Sequence, residues 1–141
     1  MGDLSKNLSR HEFACRCGCG YDTVDFGTVV MIQGAVDHFS SKFNAPAKVD
    51  IRGGNRCKKH NEFVQKKYNP KYIAFSSKST HMDAKAGDIK IFCLKGGDWI
   101  QVDPNEVYDY FDKKYPKSAG VGKYHNRTHV DSRNKKARWT A

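Results

Sequence analysis

The stretch Ser79-Thr80-His81-Met82-Asp83-Ala84-Lys85-Ala86-Gly87-Asp88 joins a turn of small and polar residues to the apolar run Ile89-Lys90-Ile91-Phe92-Cys93-Leu94. A chain turning through Ala84-Lys85-Ala86-Gly87 can bring the His81 and Asp88 side chains to one point without placing either on a regular helix. A further histidine stands in Thr128-His129-Val130-Asp131. If that segment is a strand, alternation of side chains puts His129 and Asp131 on one face. Two imidazoles and one carboxylate suit zinc with its fourth position left open, as a hydrolytic site requires, whereas a structural zinc is closed by protein ligands. Spacing alone leaves a plainer alternative standing, because an H-x-D pair in a strand is more often a satisfied surface or core pair.

The flanking sequence supplies the elements that would carry this stretch. Asp88 opens or sits within a strand through Leu94, which Gly96-Gly97 closes. Val29, Ile32, Val36, Phe39 and Phe43 recur at 3-4-3-4 spacing and predict a helix from about Asp25 to Phe43, stopped by Asn44-Ala45-Pro46. Ser9-Arg10-His11-Glu12 reads as a capping box before a short helical turn. Lys48 to Ile51 reads as a strand, Cys57 to Lys67 as a helix, and Asn69-Pro70 through Ser79 as a polar loop. Asp103-Pro104-Asn105-Glu106 combines an N-cap with Pro at the first helical position, and Val107, Phe111 and Tyr115 follow at helical spacing until Pro116. Gly120 to Tyr124 and Thr128 to Arg133 predict two short strands joined by the turn His125-Asn126-Arg127. The segment 134–141 reads as a basic tail with Trp139 as its only large apolar residue. This order predicts an α+β fold, an antiparallel sheet with helices packed on it. At 141 residues, one domain spanning 1–141 is expected.

Charge narrows the partners. Lys and Arg outnumber Asp and Glu by 25 to 15, a formal charge of +10, which favours a polyanionic partner or surface. Nucleic acid, anionic lipid and the acidic bacterial cell wall all satisfy that condition. No run approaches the length of a membrane span, and the N-terminus lacks the apolar stretch of a signal peptide. Synthesis in the cytoplasm without a signal peptide is therefore expected. Five cysteines, an odd number, argue against a disulfide framework. Cys15, Cys17 and Cys19 could supply part of a second, structural zinc site with Cys57 as fourth ligand, although C-x-C-x-C is tighter than the usual C-x₂-C knuckle. Reduced thiols in a Gly-rich turn are the plainer reading, and Cys93 reads as a small core residue.

Taken together, these segments resemble the M15 zinc peptidases, the D-alanyl-D-alanine carboxypeptidase and murein endopeptidase group that shares its fold with the Hedgehog signalling domain, and especially their small phage and prophage members. Ser79, His81, Ala86 and Asp88 match the S-x-H-x-x-G-x-A-x-D pattern, and His129 and Asp131 its H-x-D. Arg56-Cys57-Lys58-Lys59-His60-Asn61 is similar to the R-C-P-x-H-N segment, and Leu8 to Phe13 and Lys136 to Trp139 extend the likeness over most of the chain. Ala84 departs from the pattern, standing where Gly is usual, and would strain the turn if that position needs positive φ. Lys58 replaces a Pro, and Gly53 a common Ser.

The resemblance implies a Hedgehog/DD-peptidase-like fold and zinc-assisted amide hydrolysis, with His81, Asp88 and His129 as ligands. It also implies an acidic general base near the third ligand. Asn126, three residues before His129, cannot titrate, which leaves Asp131 as the candidate base, or alternatively as an acceptor that orients a ligand histidine. Arg56 would stabilise the oxyanion or grip a substrate carboxylate. The implied substrate is the peptide stem of bacterial peptidoglycan amid anionic envelope polymers. The implied setting is a monomeric phage or prophage lysis enzyme that reaches the wall after membrane breach. No specific nucleic-acid partner is expected. Two rival functions are a non-catalytic zinc module of the same fold and a basic nucleic-acid-binding protein, whose affinity would be salt-sensitive.

Overall fold

The computed structural model of the chain describes residues 2–68 and 79–141. The polar loop expected from Asn69 falls outside the described residues up to position 78. Among the described residues ten elements follow one another: α1 (Arg10–Phe13), α2 (Phe26–Phe43), β1 (Ala47–Gly53), α3 (Lys58–Tyr68), β2 (Ala86–Lys95), β3 (Asp98–Gln101), α4 (Pro104–Lys114), β4 (Gly120–Lys123), β5 (Thr128–Asp131) and β6 (Ala137–Thr140). The fold is α+β, as expected. The strands form one sheet in the order β1-β2-β5-β4-β6, with β3 beside the C-terminal half of β2.

Local signals act where the sequence puts them. The Glu12 carboxylate accepts the Ser9 backbone N–H at 2.8 Å, completing the capping box of α1. Asp103 Oδ1 accepts the Asn105 N–H at 2.9 Å and starts α4. Asn44 ends α2 in the left-handed conformation, φ 48°.

All strand pairs are antiparallel except β4 with β6, which run parallel. The basic segment at 134–141 is thus partly a sheet strand, not a free tail. Arg138 secures it, donating to Asp112 Oδ1 at 2.7 Å and to the carbonyls of Ala119 and Tyr115 at 2.6 Å each. Strand β3, not anticipated from the sequence, follows the Gly96-Gly97 turn, whose φ values of 59° and 87° suit glycine.

One face of the sheet carries the core. Ile89, Ile91 and Cys93 of β2 alternate inward with Val49 and Ile51 of β1, Val121 of β4 and Val130 of β5. Against them pack Val29, Ile32, Val36 and Phe39 of α2, together with Val107 and Phe111 of α4. Each such side chain taken from water contributes about 1.5–3 kcal/mol before entropy is counted. The opposite parity on the same strands, Asp88, His129 and Asp131, is thereby turned to the other face.

Candidate metal centre and active-site cleft

The sheet register aligns the site. Gly53 of β1, Asp88 of β2, His129 of β5, Gly122 of β4 and Trp139 of β6 are successive cross-strand partners in one row. A register irregularity between Ile51 and Gly53 restores Gly53 to this row. Glycine there leaves the carboxylate its space, because a Cβ at Gly53 would lie 2.7 Å from Asp88 Oδ2. The second histidine arrives from the turn before β2. Tyr21 OH donates to Met82 O at 2.5 Å, Asp25 N to Ala84 O at 2.8 Å and Thr28 Oγ1 to Lys85 O at 2.5 Å, tying that turn to the start of α2. Ala84 has φ 58°, the positive value at which the usual glycine would carry no penalty.

Three side chains converge. Asp88 Oδ2 lies 3.3 Å from His81 Nε2, and Asp88 Oδ1 lies 3.1 Å from His129 Nδ1, with the imidazoles 5.0 Å apart and nearly perpendicular. Both histidines are buried, and each has its remaining ring nitrogen engaged. His81 Nδ1 lies 2.6 Å from Gly54 O, which can only accept, so this nitrogen carries the proton. His129 Nε2 lies 2.8 Å from Asp131 Oδ2, a carboxylate acceptor, and donates to it. His81 Nε2 and His129 Nδ1 are the nitrogens left facing the Asp88 oxygens. A proton on the imidazole or a metal ion in its place satisfies nitrogens that face carboxylate oxygens, and two imidazole nitrogens with a carboxylate are a donor set that zinc accepts. The donor atoms all lie within 4.8 Å of one another, so the group could hold a metal ion.

Asp131 is occupied on all sides. It is fully buried, and its carboxylate accepts from Gly120 N at 3.1 Å, from Arg133 Nε and Nη2 at 2.8 Å each, and from Thr80 Oγ1 at 3.2 Å, besides His129. Burial works to raise its pKa, but the bonds from His129 and Arg133 outweigh it and hold the group well below the usual carboxylate range. Asp88 behaves alike, with burial overcome by His129 and His81. Burial pulls His129 down, and the bonds to Asp131 and Asp88 more than reverse this, so the group is raised.

The triad opens into a cleft of about 1150 Å³. Arg16, Arg52, Arg56, Lys90, Arg127 and Arg133 line it, and Asp88 is its one carboxylate among the described residues. Arg56 stands beside the triad, its N–H donating to His81 O at 2.9 Å and its Nη2 to Ser79 Oγ at 3.3 Å. Burial lowers its pKa, with Asp88 opposing. Sequence reasoning gave no place in the cleft to His60, Tyr124 or Trp139, which also line it. Trp139 lies 4.9 Å from the His129 ring and donates its indole N–H to Tyr124 OH at 3.2 Å. Only the parallel pairing of β6 brings it there, and nothing in the local pattern of residues 134–141 announced that pairing. Burial and the neighbouring Arg56 charge lower the pKa of His60. His125 is exposed in its turn, away from the cleft lining.

A second group lies apart. Cys15, Cys17, Cys19 and Cys57 form this set of four, whose sulfurs lie within 4.8 Å of one another.

The family described as Peptidase M15 matches residues 6–131 of this chain, most of its length. The chain belongs to that family. No curated protein and no solved structure gives a significant match. As an M15 peptidase the protein is a metallopeptidase, a hydrolase of a family typically dependent on zinc. Among the described residues of this M15 peptidase, no helix is long and apolar enough to cross a membrane.

Proposed function

We propose that this metallopeptidase hydrolyses amide bonds in the peptide stems or cross-links of bacterial peptidoglycan, as a phage or prophage lysis enzyme. His81 Nε2, His129 Nδ1 and the Asp88 carboxylate would hold one catalytic zinc. The convergence of these three acceptors at the floor of a cation-lined cleft is the observation that carries the reading. When bound, zinc acts as a Lewis acid that polarises the scissile carbonyl and lowers the pKa of water.

The chain's own residues do the rest. Asp131 fixes His129 in the tautomer with Nε2 protonated, leaving Nδ1 free to bind, and its own carboxylate is in turn fixed by Arg133. Of the two roles open to Asp131, orienting fits a carboxylate that is buried, fully bonded and absent from the cleft wall. Arg56 presents a forked, permanently charged donor to a developing oxyanion or a substrate carboxylate. The surrounding arginines and lysines suit stem peptides, whose free carboxylates are anionic, and the net charge of +10 suits the anionic polymers around them.

One observation favours a second reading, a zinc module that binds without cutting: among the described residues the cleft offers no carboxylate beyond Asp88. Digestion of purified peptidoglycan separates the two. The cutting enzyme releases new amino termini, identifiable by mass spectrometry, and His81→Ala abolishes their release. Wall binding with no new termini supports the module, and unchanged digestion by His81→Ala sinks the proposed mechanism.

A further inference from the structure

Four of the five cysteines meet at a place remote in sequence from the triad and outside the catalytic proposal. Cys15, Cys17 and Cys19 come from the turn after α1, and Cys57 from the residue before α3. Gly18 and Gly20, at φ 82° and 86°, let this turn fold back on itself, with Gly18 N donating to Cys15 O at 3.2 Å and Cys15 N to Tyr21 O at 2.9 Å. The turn thereby aims three sulfurs in one direction across a sequence gap of about 40 residues. Cys15 Sγ lies 3.4 Å from Cys17 Sγ, and Cys17 Sγ lies 3.7 Å from Cys57 Sγ.

These separations match a metal site. Four sulfurs held tetrahedrally at a Zn–S distance of about 2.3 Å lie about 3.8 Å apart, whereas disulfide sulfurs sit about 2.05 Å apart. All five cysteines are free thiols. Backbone N–H groups point at the sulfurs as they do at thiolates: Cys57 N to Cys15 Sγ at 3.5 Å, and His60 N to Cys57 Sγ at 3.4 Å. A tetrathiolate zinc carries a net charge of −2, and Arg56, the neighbour of Cys57 in sequence, brings a positive charge close to it. The fifth thiol, Cys93, is buried in the core against Phe39 O and takes no part. The odd cysteine count thus resolves into four and one.

We infer that Cys15, Cys17, Cys19 and Cys57 bind a second, structural zinc ion that clamps the turn after α1 to the segment carrying Gly54, Asn55 and Arg56. Both ends of this clamp reach the catalytic side. Asn55 N donates to Phe13 O at 2.8 Å, while Gly54 O and Arg56 N hold the His81 ring and backbone. With four protein ligands the coordination is closed, so its work is structural.

The test is metal content of the full chain purified under reductant, by mass spectrometry of the elements, with cobalt substitution as a second readout. We expect two zinc ions per chain, falling to one in Cys17→Ser/Cys57→Ser and to one in His81→Ala. Cobalt in the wild type and in His81→Ala should show the intense thiolate-to-cobalt charge-transfer band, and the double cysteine variant should lack it. Should that variant fail to fold, alkylation of the wild type decides: four thiols shielded while zinc is bound and reactive after chelation support the site. A single zinc in the wild type with no thiolate band overturns it, as does iron in the thiol site or a Cys17–Cys57 disulfide under native conditions. Loss of zinc in His81→Ala reports on the catalytic proposal alone, so the two can fail separately.

Discussion

Asp131→Asn distinguishes an orienting residue from a base. The substitution keeps the shape of the side chain and replaces one acceptor oxygen by an NH₂ donor. In the wild type that carboxylate accepts from Gly120 N, His129 Nε2, Thr80 Oγ1 and the two guanidinium nitrogens of Arg133. Whichever way the amide turns, a donor meets a donor, and Arg133 loses its counter-ion. Removing one partner of a buried ion pair costs about 3–5 kcal/mol. The Arg133 side chain is 35% exposed and partly screened, so we expect about 2–3 kcal/mol here. Freed from its acceptor, His129 also loses its fixed tautomer, which should weaken zinc by about 10–100-fold. Thermal melts of the zinc-free protein give the first quantity, and competition with a chromophoric chelator gives the second. Unchanged melting and zinc affinity combined with lost hydrolysis would mean that Asp131 is the base, and would refute the orienting role.

Further outcomes follow from other contacts. Ala84→Gly should stabilise the protein by about 0.5–1 kcal/mol, because it removes the cost of a Cβ at φ 58°; a lower melting temperature would contradict this. Arg138→Ala strips Asp112 and the carbonyls of Tyr115, Ser118 and Ala119 of their donor, and should cost about 2–4 kcal/mol in denaturant titration. In zinc-free protein the depressed carboxyls of Asp88 and Asp131 contribute stability that is present above about pH 4 and lost as pH falls towards their folded values. His129, raised on folding, contributes below about pH 6.5 and loses its contribution as pH rises through its folded value. Melting temperature should therefore peak between about pH 4 and 6.5, and a monotonic rise to pH 9 would contradict the assigned partners. Arg56→Lys keeps the charge and loses the fork, so kcat/KM should fall about 100-fold with zinc retained.

Helices α2 and α4 were legible because their apolar residues repeat at 3.6-residue spacing and their end signals are local: Asn44 after α2, and Asp103 with Pro104 at the start of α4. The meeting of Asp88 with His129 follows from alternation on two strands once the register is known, and register is a long-range property that spacing does not contain. Trp139 shows the limit most plainly. Its role depends on β6 lying parallel to β4, fixed by the bonds that Arg138 makes to carbonyls up to 23 residues away. The roles of Asp131 were equally undecided, since an acid next to a ligand histidine reads the same whether it faces water or Arg133. Ala84 was the reverse case, a local misfit visible in sequence and present as positive φ in the structure.

The central claim is that zinc at His81, Asp88 and His129 drives hydrolysis of peptidoglycan stems. Its most direct measurement is release of new amino termini from purified peptidoglycan by the chelator-treated protein as zinc is titrated back. We expect activity to be absent after chelation and to return in proportion to filling of this site, in the wild type and not in His81→Ala. Full activity in the chelated protein, or in zinc-loaded His81→Ala, would contradict the account.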